Sequence, residues 1–140
     1  MNLYETKIRY VKIDEKSGKE KKVTQSYLVE AETFGTAEER IYKEMEACIS
    51  GDFNVTAIRS ASFSDIINQI DGDRYYASKV SFISFDEQLG KEKKVTQPML
   101  VLSNSVEDAT ERIKDHLSHM IVPYDIVSVS ESQIIDIFLN

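Results

Sequence analysis

Gly18-Lys19-Glu20-Lys21-Lys22-Val23-Thr24-Gln25 reads GKEKKVTQ, and the same eight residues return at Gly90 to Gln97. Composition does not produce an identity of that length at a spacing of 72. Without gaps, residues 4–49 align with 76–121 at 19 identities in 46 positions, with exchanges such as Ile8 for Val80 and Tyr10 for Phe82. One deletion near Gly51 to Asn54 resets the offset, after which Val55–Ile58 matches Ile126–Val129 and Phe63–Ile67 matches Ile134–Phe138. The chain therefore reads as two copies of one unit, residues 1–70 and 71–140, expected to pack as one compact domain.

Periodicity gives each unit its elements. Tyr4, Thr6, Ile8 and Tyr10 alternate with Lys7 and Arg9, and Val23, Gln25, Tyr27, Val29 and Ala31 alternate again after a polar stretch. Period two predicts two antiparallel strands with GKEKK at their distal turn. Ala37, Ile41 and Met45, like Ala109, Ile113 and Leu117, then follow helical spacing and form one apolar stripe. Thr36 ahead of Glu39 and Asp108 ahead of Glu111 have the spacing of a capping box and predict the helix starts. Ser50-Gly51-Asp52 and Pro123 are the predicted stops. Two short strand-prone segments close each unit. The result is an α+β fold of two tandem ββαββ repeats with pseudo-twofold symmetry, antiparallel sheet and one helix per repeat. At the join, Asp71-Gly72 predicts a turn that hairpins the last strand of the first repeat into the first strand of the second. The middle of the chain then reads ββββα, similar in element order to single-stranded nucleic-acid-binding folds of the Whirly and PUR types.

The 140 residues are 29% charged with a formal net charge of −7. Residues 1–70 hold 10 Lys/Arg against 12 Asp/Glu, and residues 71–140 hold 7 against 12. These totals show no general polyanion-binding surface, so any nucleic-acid site needs a local basic cluster. Neither a secretory leader nor a run of about 18 apolar residues is visible, which predicts a cytoplasmic protein without membrane contact. Cys48 is expected as a small core residue on the helix.

Lys21-Lys22-Val23-Thr24 with Tyr27-Leu28-Val29, Ala37-Glu38 with Arg40-Ile41, Ile49-Ser50-Gly51-Asp52-Phe53 and Gly72-Asp73-Arg74-Tyr75-Tyr76 carry a resemblance. Over nearly its full length the chain resembles the family called domain of unknown function 4494, from Bacteroides-type bacteria and their phages. The resemblance implies a phage or prophage setting and an intracellular location, and brings no activity or cofactor.

The candidate contacts are Lys19, Lys21, Lys22, Lys91, Lys93 and Lys94 at the two turns, extended by Lys7 and Arg9, for phosphate binding. The plainer reading is that lysines solvate hairpin tips and discourage sheet-to-sheet pairing. Tyr4, Tyr10, Tyr27, Tyr75, Tyr76 and Phe82 are either base-stacking platforms or core residues. His116 and His119 have a metal-compatible spacing without a third convergent ligand, and no metal or cofactor is expected. Asp65 and Asp136 are equivalent carboxylates, either paired or solvated on edge strands. No activated nucleophile is recognisable. The expected function is that of a non-catalytic binding protein contacting single-stranded DNA through the lysine tips. The alternative is a structural or protein-interaction module, with a homodimer or a phage or host protein as partner.

Overall fold

A computed structural model describes residues 2–140. The chain order is β1 (Asn2–Ile13), β2 (Glu20–Ala31), α1 (Phe34–Glu46), β3 (Phe53–Ala61), β4 (Asp65–Ile67), β5 (Arg74–Asp86), β6 (Lys91–Ser103), α2 (Val106–His116), β7 (Tyr124–Glu131) and β8 (Ile134–Phe138). The fold is α+β, with two helices and two four-stranded sheets ordered β3-β1-β2-β8 and β4-β6-β5-β7.

Each sheet takes its fourth strand from the other half of the sequence. β8 pairs in parallel with β2, and β4 pairs in parallel with β6, so both sheets are mixed rather than antiparallel. The chain accordingly divides into a first unit of residues 2–61 with 133–140 and a second of Ser62–Ser132. These units are cut differently from the repeats at 1–70 and 71–140.

The expected hairpin at Asp71-Gly72 does not form, because β4 lies beside β6 while β5 pairs with β6 and β7. Nor do four consecutive strands make one sheet, since β3 belongs to the first sheet and β4, β5 and β6 to the second. Gly72 serves another purpose. A Cβ there would sit 2.6 Å from the Ser103 backbone nitrogen and 2.7 Å from its Cα, so glycine permits residues 71–73 to lie against the end of β6. Asp73 N–H donates there to the Ser103 carbonyl and the Asn104 side chain, both at 3.0 Å.

In the first unit Tyr4, Ile8, Tyr27, Val29 and Ala31 meet Ala37, Ile41 and Met45 of α1. In the second, Tyr76, Val80, Met99 and Val101 meet Ala109, Ile113 and Leu117. The apolar stripes thus pack as their spacing predicts. The helix starts lie one turn earlier than expected. Thr33 caps α1 by accepting from Thr36 N–H at 3.1 Å while its own N–H donates to the Thr36 hydroxyl at 3.0 Å. Ser105 caps α2 by accepting from Asp108 N–H at 3.0 Å. Thr33 and Ser105 hold the extended backbone a cap requires, whereas Thr36 and Asp108 are already helical. α1 ends at Glu46, so Cys48 falls beyond the apolar stripe and is exposed rather than in the core.

Gly72→Ala is expected to lower the stability of the second unit by about 1–3 kcal/mol or more, because backbone must move to admit the methyl group. Gly35→Ala, whose Cβ meets only the Thr33 hydroxyl at 3.8 Å, should be neutral or stabilising. Urea denaturation of both variants checks the pair.

Candidate functional site

The predicted lysine turns sit where β1–β2 and β5–β6 run on as two-stranded ribbons. Ile13 still pairs with Glu20, and Asp86 with Lys91. Asp14 and Asp86 build the turns. Asp14 Oδ1 accepts from Lys16 N–H at 2.9 Å and its carbonyl from Gly18 N–H at 2.7 Å. Asp86 Oδ1 accepts from Gln88 N–H at 3.0 Å and its carbonyl from Gly90 N–H at 2.8 Å. Gly18 and Gly90 take φ of 66° and 65°, the left-handed region that disfavours a Cβ. The repeated glycine therefore has a backbone reason, and the three lysines of each turn do not share it.

Register distributes the basic residues over two faces. In the first sheet Lys21 is on the face on which α1 packs and Lys7, Arg9 and Lys22 are on the other; in the second sheet Lys91 and Lys93 are on the face on which α2 packs and Lys94 is on the other. Lys19 lies in the polar turn. Lys7 is half-buried, and the other seven candidates are exposed. Around the first ribbon, Tyr10, Lys12, Lys16 and Lys21 line an open concavity of about 640 Å³, together with Asp14 and Glu15. The opposite face is apolar as well as charged: Val11 faces Lys22, Ile13 faces Glu20, Ile83 faces Lys94 and Phe85 faces Glu92. Val11 is 51% exposed, Ile13 64%, Phe85 63% and the turn residue Leu89 70%.

The aromatic candidates divide. Tyr4, Tyr27, Tyr75 and Tyr76 are buried, which rules them out as open stacking platforms, while Tyr10 and Phe82 are half-buried. Tyr27 donates to Gln25 at 2.9 Å. Burial first, then the proximity of Tyr10, Cys48 and Asp136, push its hydroxyl above the ordinary 10.0, so it stays protonated at neutral pH.

Asp65 and Asp136 are on edge strands of different sheets and form no pair. Asp65 instead contacts His116, with Nε2 3.4 Å from Oδ2. His119 is exposed beyond the end of α2, so the two histidines do not share a helical face. Among the described residues no group of three or more His, Cys, Asp and Glu could hold a metal.

Two arginines outside the predicted candidates make the densest side-chain networks among the described residues. Arg112 Nη1 donates to the carbonyls of Ile70 at 3.2 Å, Asp71 at 2.9 Å and Leu102 at 2.8 Å, and its Nε pairs with Asp108 at 2.8 Å. Arg40 donates to the Glu30 carbonyl at 3.0 Å, the Leu139 carbonyl at 2.9 Å and the Asn140 side chain. Each guanidinium ties the residues after an exchanged strand to the strand beside it. The available signal was an arginine identical in both repeats, one position before the buried isoleucine of the helix stripe.

The chain matches the model of the family described as Domain of unknown function (DUF4494) over residues 2–140, and it belongs to that family. No curated protein and no solved structure matches it. No helix among the described residues is long and apolar enough to cross a membrane.

Arg112→Ala should cost about 2–3 kcal/mol, since Nη1, which shares its hydrogens among three carbonyls, and Nε, which pairs with Asp108, are both lost, and Arg112→Lys should not restore it because one ammonium cannot stand at both nitrogen positions. Arg74→Ala breaks an exposed 3.5 Å contact with Glu131 and should stay within about 0.5 kcal/mol of wild type. Chemical denaturation distinguishes the two.

Proposed function

We propose that this member of the family is a non-catalytic binding protein whose contact elements are the two ribbons, and that its partner is a protein. The carrying observation is the exposure of Val11, Ile13, Phe85 and Leu89 on ribbons that extend beyond the packed cores. Apolar side chains clustered at exposed tips lose water when a complementary surface covers them. The interleaved charges then supply register and selectivity. The reading treats the chain as two copies of one ββαββ unit, each contributing a ribbon, and the repeated octapeptide supports it. A phage or host protein in a cytoplasmic setting is the partner it implies.

A second reading, contact with single-stranded DNA, has its own support. Lys12 and Lys21 stand opposite one another, and with Lys16 and the half-buried Tyr10 they line the first concavity. Cationic groups beside an aromatic ring suit a phosphate backbone and a base. Against it stand the division of the lysines between two faces and the net charge of −7.

Replacing Val11, Ile13, Phe85 and Leu89 together by serine should abolish nuclease-resistant capture of a stoichiometric protein partner while leaving the folded spectrum intact. Fluorescence anisotropy against labelled single-stranded DNA across a salt series tests the other reading. Tight binding that falls steeply with salt, and disappears when the six turn lysines are replaced, would overturn the first reading in favour of the second.

A further inference from the structure

The position that β8 occupies beside β2 is built like a groove for an extended peptide. Its backbone pairs in parallel with Ser26–Val29. Phe138 stacks on Tyr27 with ring centres 5.7 Å apart and 22° between planes, and it packs against the first core. Beyond it, Arg40 holds the Leu139 carbonyl and the Asn140 side chain, while Asn140 N–H donates to the Glu30 carboxylate at 3.0 Å. A backbone ladder, an aromatic anchor and a cationic clamp together are how a sheet edge takes up a strand as a ligand.

The occupant enters from a distant part of the chain. Ser132 still belongs to the second unit, donating to the Tyr75 carbonyl at 2.8 Å, and Gln133 begins the returning segment of the first. The junction is therefore a short hinge, and the groove contacts just described are all made by residues 134–140. Their chemistry is the same whichever copy of the chain supplies them. Pairing between copies at the other long edges is disfavoured. β3 leaves Thr56 without a register partner and β7 leaves Val127, bulges that blunt an edge.

We infer that the β2 groove accepts Ile134–Asn140 from a second copy of this chain, so that the protein assembles into a dimer by exchanging its C-terminal segment. The exchanged dimer keeps the ladder, the Phe138 anchor and the Arg40 clamp and differs from the monomer at the hinge. Concentration then sets the balance between the two forms.

Wild-type protein, unfolded and refolded at about 1 mM chain, on the order of the effective concentration of a short tether, should yield a dimer by native mass spectrometry. Its fraction should rise with refolding concentration. Two full-length variants identify the exchanged element: Phe138→Asp spoils the donated segment and leaves the groove, and Arg40→Glu spoils the groove and leaves the segment. Refolded together, they should give a heterodimer about tenfold above the homodimer of either, because only the mixture joins an intact groove to an intact segment. Wild-type protein that stays monomeric at every refolding concentration overturns the inference. So does a dimer that forms equally well from Phe138→Asp alone, since another surface would then hold it.

Discussion

The structure depends on how each sheet is completed. The core strands β1–β2–β3 and β5–β6–β7 pair through antiparallel ladders, yet each sheet ends on a parallel strand that arrives from outside its own repeat. The two completions are not equivalent in chain order. Ser62–Ser132 is continuous and contains its own β4, whereas the first unit is interrupted and recovers β8 only after the whole second unit has been traversed. Closing a disordered loop of roughly seventy residues costs on the order of 4 kcal/mol. Folding the second unit replaces that loop by a structured connection, so the first unit is completed on terms that the second sets.

Short parallel strands offer little pairing of their own, which gives the arginines their importance. β4 contributes three residues and β8 five, and in each case a guanidinium from the adjoining helix ties down the residues that follow. A planar fork with several donors reaches carbonyls on two segments at once, which one lysine ammonium does poorly. The remaining long edges carry bulges, and the polar turns lie at the far ends of the ribbons. With the edges completed or blunted, the ribbons are left carrying exposed apolar and charged side chains.

Element type was legible in the sequence because period two and helical spacing are written residue by residue. The alternation from Tyr4 to Tyr10 and the stripe Ala37, Ile41, Met45 each ended up on the faces they implied. Pairing was not legible. Asp-Gly at 71–72 carries a strong hairpin signal, but Gly72 is there for the close approach to Ser103, and a dipeptide cannot distinguish a turn from a tight backbone contact. The same ambiguity placed both caps one turn late, since Thr33 with Thr36 satisfies its donors as well as the expected residues would have done. Of the candidate site, exposure of the turn lysines followed from composition. The apolar residues beside them followed only from register, which puts Val11 and Ile13 on the face of β1 away from α1, where both are exposed.

Residue-resolved amide hydrogen exchange on Ile113→Ala and Ile41→Ala, each deleting a fully buried side chain from one core, tests the dependence of the first unit on the second most directly. The expected result is asymmetric: Ile113→Ala lowers protection in β5–β7 and also where β2 meets β8, whereas Ile41→Ala lowers protection in the first unit and leaves β5–β7 as in the wild type. Unchanged protection of β2 and β8 in Ile113→Ala would contradict it.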